Sequence, residues 1–155
     1  MASTPENGTG PTEEFRYAGS RLGLPEQGSG SVAGWGRRVL ALFLDWVIAG
    51  LVASAITGRP MWAGGNDYTT TQLVVFFAMT ALLVGLAGAT IGHRVCGLRV
   101  ITTRPQSATT YTAQPGLLSG ALRAFLVCLV IPAVVYDRDR RGLHDQAAST
   151  VVVKR

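Results

Sequence analysis

Read as hydrophobic and polar positions, the chain falls into three apolar blocks separated by polar, turn-rich stretches. Val39–Thr57 (VLALFLDWVIAGLVASAIT) and Leu73–Ile91 (LVVFFAMTALLVGLAGATI) are each 19 residues of almost unbroken apolar character. At about 1.5 Å per residue each reaches roughly 28 Å, close to the thickness of a bilayer's hydrocarbon core, and both are predicted as transmembrane helices. The connector GRPMWAGGNDYTTTQ carries turn formers and places Trp62 and Tyr68 where interfacial aromatics belong. The third block, Leu117–Tyr136, is long enough to cross but contains Arg123 and Pro132. Two short runs of β-branched residues, Val95–Ile101 and Ser149–Lys154, read as strands and are expected to meet as a small cytoplasmic pair. The predicted fold class is therefore an all-α membrane protein, with two spans, a third re-entrant or spanning block, and a small β-pair.

Residues 1–33 are rich in Gly, Ser, Thr, Pro and Glu and poor in apolar side chains, so they are expected to be a disordered tail preceding a membrane domain at 34–153. No apolar run lies near Met1, so a cleavable signal is not expected and the first block is retained. The 155-residue chain is 48% hydrophobic and 15% charged, with formal net charge +5. A nucleic-acid binder would spread basic residues over a polar face. Here the arginines gather at the ends of the apolar blocks, the positive-inside pattern, which makes the bilayer the expected partner and excludes nucleic acid. If block three crosses fully, the basic residues divide nearly evenly between the two sides. If it dips in and returns, all of them except Arg59 and the intramembrane Arg123 fall on one side. That asymmetry favours re-entry, with both termini cytoplasmic.

Asp45 is the chemical anomaly of the first span. A carboxylate at the centre of a membrane helix costs about 2.5–3.5 kcal/mol, so it needs a partner. Arg38 is seven residues away, about 10 Å along the axis, and helical side chains lean toward the N-terminus, so an intrahelical pair is not expected and Arg38 is read as snorkelling to the headgroups. Asp45 lies six residues past Val39 and Arg123 six past Leu117, so entry from one side would set them at equal depth. An Asp45–Arg123 pair is the resulting expectation. A four-residue spacing recurs as Ala41, Asp45, Ala49 and Ala53 in the first span, as Ala81, Gly85 and Ala89 in the second, and as the pair Gly88 and Gly92; these mostly small residues suit close helix packing within the molecule or between copies.

Other chemistry is poorly provided for. His144–Asp145 is too little for a metal site in a chain with two histidines, and the bland reading of Asp145 is a cap or a surface partner of Arg138, Arg140 or Arg141. An intramembrane aspartyl protease needs two carboxylates at one depth, and Asp145 lies outside any apolar block. Cys96 and Cys128 read as unpaired thiols. No phosphate loop or nucleophile–base constellation is present, so neither an enzyme nor a cofactor is expected.

The motifs RRVLALFLD, GATIGHRVCGLRVI and DRDRRGLHDQAASTVVV, in this order around apolar blocks, resemble the RDD family of bacterial membrane proteins. The likeness covers roughly residues 34–153 and implies that Arg38, Asp45 and Asp145 are the arginine and two aspartates for which the family is named. His93 stands where the family usually has Lys or Arg, and Ser149 where Gly often precedes Thr150. The resemblance implies a multi-pass cell-membrane protein and admits cation/proton exchange. Two functional readings follow: a structural or interaction subunit of a membrane assembly, as a homo-oligomer or with other membrane proteins, or an oligomeric cation/proton transport component.

Overall fold

The structure is a computed structural model that describes residues 17–62, 64–103, 115–129 and 141–155. Two long helices form its frame, α1 (Trp35–Thr57) and α2 (Asn66–Ala87), and both are long and apolar enough to cross a membrane. Both begin earlier than their apolar runs, although Gly, Asn, Asp and Thr are weak helix formers; in α2 the added turns are held by contacts of Tyr68 and Gln72 with α1. The second ends at Ala87 rather than Ile91, where Gly88 takes φ 62° and its N–H returns to the Val84 carbonyl. Gly58 ends α1, also in the left-handed conformation, at φ 66°.

Small residues let the helices approach. Ala41, Ala49 and Ala53 are all buried along one stripe of α1. Tyr68 of α2 donates its hydroxyl to the Gly50 carbonyl at 3.0 Å, Gln72 reaches the Trp46 carbonyl at 3.3 Å, and Trp46 meets Phe76 edge-on with ring centroids 5.4 Å apart. After α2 the chain makes a five-residue helix, α3 (Ile91–Val95), and strand β1 (Leu98–Thr102). Helix α4 (Gly116–Cys128) packs on α2 so closely that a Cβ at Gly85 would lie 2.8 Å from the Leu117 Cα, and one at Gly120 2.6 Å from the Ala81 carbonyl oxygen. At 13 residues α4 is about 20 Å long, short of a full crossing. The rest of the third block, with Pro132, and the basic run through Arg140 lie outside the described residues.

A second five-residue helix, α5 (Leu143–Ala147), leads into β2 (Thr150–Lys154), which pairs antiparallel with β1 in the register Leu98 to Lys154 through Thr102 to Thr150. This is the expected β-pair. Its alternation serves two faces. Leu98, Val100 and Val152 pack with Ala33, Ala41 and Val84 of the helical frame, while Ile101, Val151 and Val153 pack with Leu24 and Val32. Here the expectation of a disordered tail to residue 33 needs correction. Residues 17–33 form a covering layer: a short 3-10 turn at Ser20–Leu22, then a stretch alongside β2 in which Ala33 N–H donates to the Val152 carbonyl and Lys154 N–H to the Ser31 carbonyl, each at 2.9 Å. The physical reason is that β2 is apolar on both faces and its outer face must also be covered. Residues 1–16 lie outside the described residues.

Candidate functional site

Arg38 of the first motif and Asp145 of the third meet beside the sheet, at the N-terminal end of α1. Asp145 is 0% exposed. One of its carboxylate oxygens accepts from Arg38 Nη1 at 2.8 Å; the other pairs with Arg123 of α4 and lies 3.5 Å from His144 Nε2. Arg38 also donates to backbone: Nε to the Ala33 carbonyl at 3.2 Å and Nη2 to the Val152 carbonyl at 3.1 Å. The guanidinium thus ties the entrance of α1 to β2 and to α5. Two expectations are corrected. Arg38 does not snorkel to solvent but is buried, because the sheet and α5 close over the head of α1 and bring a carboxylate to it. Asp145, although it lies in a polar run, is enclosed between two arginines rather than placed at the surface.

Asp45, 2% exposed, serves a different purpose. Its Oδ1 accepts from Gly92 N–H at 2.7 Å and its Oδ2 from the Thr90 hydroxyl at 2.5 Å. Thr90 is the N-cap of α3 and Gly92 lies in its first turn, so Asp45 caps a neighbouring helix from across an interface. It satisfies a backbone donor that the helix start leaves open and places negative charge at the positive end of the helix. The pair expected from matched depth, Asp45 with Arg123, is not formed: Arg123 goes to Asp145. Gly92 makes the cap possible, since a Cβ there would overlap the Ala41 carbonyl oxygen and come within 2.9 Å of the Asp45 carboxyl carbon. Gly85 packs on α4, and Gly88 ends α2 while its carbonyl accepts Val100 N–H at 2.7 Å.

Sequence reasoning gave Thr90 and His93 no place in the site. Thr90 Oγ1 lies 2.5 Å from His93 Nδ1, and His93 Nδ1 is 3.8 Å from Asp45. The imidazole is buried, and its pKa is lowered to about 3, first by burial and then by the charges of Arg123, Arg38 and His144. His93 is therefore neutral at ordinary pH, which suits a position facing two arginines. The signal available for it was that both histidines of the chain fall inside conspicuous motifs. Arg38, Arg123, Asp45 and Asp145 carry formal charges that cancel. Among the described residues no group of three or more His, Cys, Asp or Glu is arranged to hold a metal.

A sequence model of the RDD family matches residues 32–149, spanning every group just described. The chain is also 26% identical over 133 residues to the protein named "Uncharacterized membrane protein YteJ" of Bacillus subtilis (strain 168), covering 78% of this chain and 80% of that one. No solved structure matches it.

Proposed function

The chain belongs to the RDD family of membrane proteins, and from that premise we propose that it is a structural subunit of a membrane assembly, a helical anchor whose buried charges lock a sheet onto the membrane end of two helices. One observation carries this reading. The Asp145 carboxylate, with no exposed surface, is held by arginines from two other helices, α1 and α4. Groups committed in this way clamp elements together, and a mobile ion path would need them open to water. In this reading the sheet faces the cytoplasm. Val32, β1 and β2 share it, so the two strands that flank α4 lie on one side of the membrane, with Arg123 beside Asp145. Assembly takes place through the lipid-facing sides of α1 and α2, as a homo-oligomer or with other membrane proteins.

A second reading rests on the polar chain Asp45–Thr90–His93, whose links are both 2.5 Å. Such a chain could pass a proton from mid-helix toward α3 in a transport oligomer. Reconstitution separates the two. Folded, purified protein in liposomes bearing a pH gradient should leave the gradient standing. Dissipation abolished by Asp45→Asn, in a variant that keeps its oligomeric state and thermal transition, would replace the structural reading with transport.

A further inference from the structure

Thr90 Oγ1 meets more partners than one hydrogen can serve. It lies 2.5 Å from Asp45 Oδ2, 2.5 Å from His93 Nδ1 and 3.1 Å from the His93 backbone nitrogen. A hydroxyl offers one hydrogen and two lone pairs. The backbone N–H only donates, so it occupies one lone pair. Of the two remaining neighbours, one receives the hydroxyl hydrogen and the other brings a hydrogen of its own. Asp45 Oδ1 already accepts the Gly92 N–H at 2.7 Å, and an ionised carboxylate accepts only. As a carboxylate Asp45 also supplies the second negative charge in a core that holds Arg38, Arg123 and one other buried acid, Asp145. His93, its pKa lowered to about 3, is neutral and carries a single ring proton. The charged and titratable groups about its ring are Asp45 and Arg38 from α1, Arg123 from α4 and His144 from α5.

We propose that Thr90 is a positioning residue that fixes His93 as the neutral Nδ1–H tautomer, leaving Nε2 as a bare proton acceptor inside the protein. The hydrogens then run in one direction, from His93 Nδ1 to Thr90 Oγ1 and from the Thr90 hydroxyl to Asp45 Oδ2. In water a neutral imidazole prefers its proton on Nε2, so the fold imposes the opposite choice. The arrangement also gives the unit a second state. When a proton from water reaches Nε2, the Nδ1 proton passes to Thr90 and the Thr90 proton to Asp45. The ring ends neutral with its proton on Nε2, and Asp45 ends as a neutral acid holding the one proton gained. Asp45 is thus protonated through His93 with no charge left on a ring that faces two arginines. The first state belongs to a scaffold and a transporter alike; only repeated cycling between the two rests on the transport reading.

Nitrogen-15 NMR of the full chain in micelles, labelled only at histidine, tests this at neutral pH, because a protonated ring nitrogen resonates far upfield of a bare one. The His93 signals are those lost in His93→Gln. Wild type should show Nδ1 protonated and Nε2 bare. Asp45→Asn should exchange the two. Its amide oxygen accepts the Gly92 N–H and its amide N–H donates to Thr90, so the Thr90 hydrogen turns to Nδ1 and the ring proton must sit on Nε2. Thr90→Val should also return the proton to Nε2, and Thr90→Ser should keep it on Nδ1. Should a variant fail to fold, the wild-type spectrum decides by itself. Wild type with its proton on Nε2, or with both ring nitrogens protonated, overturns the proposal. So does an Asp45→Asn variant of unchanged thermal transition that keeps the proton on Nδ1.

Discussion

Asp45 illustrates how a carboxylate is accommodated inside an apolar helix: it takes a backbone N–H and a hydroxyl from a neighbour, so its partner is a helix end rather than a side-chain cation. The arrangement tolerates no side chain at position 92. Gly92→Ala should force α3 away from α1 and lower stability by about 1–3 kcal/mol, read as a fall in thermal transition in micelles. Ser149 is the reverse case. It is the one non-glycine among the described residues with positive φ, at 51°, and its neighbours leave that turn no alternative because its carbonyl accepts Thr103 N–H beside the sheet. Ser149→Gly should therefore raise stability by up to about 1 kcal/mol, and the same melting experiment checks it. His93 contributes a pH dependence. Its folded pKa of about 3 lies below the unfolded value of about 6.5, so the unfolded chain binds the extra proton between them. The associated stability is complete above pH 6.5 and is lost as pH falls toward 3. Melting temperature in wild type should decline through that window, and His93→Gln should flatten the decline.

Between elements, the Asp145 cluster joins α1, α4 and α5, and its components do not act singly. Asp145→Asn leaves two guanidiniums facing each other with their shared counter-charge removed, and should cost about 3–5 kcal/mol. A double-mutant cycle tests the pairing itself. Arg123→Gln with Asp145→Asn should be strongly non-additive, whereas Arg123→Gln with Asp45→Asn should be closer to additive. Additivity in the first cycle would dissolve the clamp. The helices and strands were legible in the sequence because hydropathy and β-branched runs are local properties. The partners were not. Equal depth suggested Arg123 for Asp45, but a backbone N–H presented by Gly92 has no composition to read. Asp145 looked solvated because its sequence neighbours are polar, and only the sheet and the helix ends, brought from distant parts of the chain, exclude water from it. The family motifs marked Arg38, Asp45 and Asp145 together while leaving open that the first pairs with the third.

For the molecule as a whole, the sheet joins three distant stretches: the approach to α1, the chain beyond α2, and β2. That constrains topology more than hydropathy does. In a background lacking Cys96 and Cys128, Gln27→Cys and Arg155→Cys should be labelled by an impermeant reagent from one side of the membrane, and Trp62→Cys from the other. Labelling of positions 27 and 155 from opposite sides would mean that the third block crosses and that the sheet cannot exist as described.

The separation of Arg38 from Asp145 by 107 positions also has a consequence in time. At ordinary rates of synthesis the arginine enters the membrane edge about 5–20 s before its carboxylate has been made. Asp45 waits less, since Gly92 follows it by 47 positions. During that interval Arg38 must be tolerable without a counter-ion. Its place at the extreme head of α1, where a long side chain can still reach headgroups, makes it so. The same cation is then a topological marker during insertion and a structural pin after it, and the hand-over between the two roles is a late step in folding.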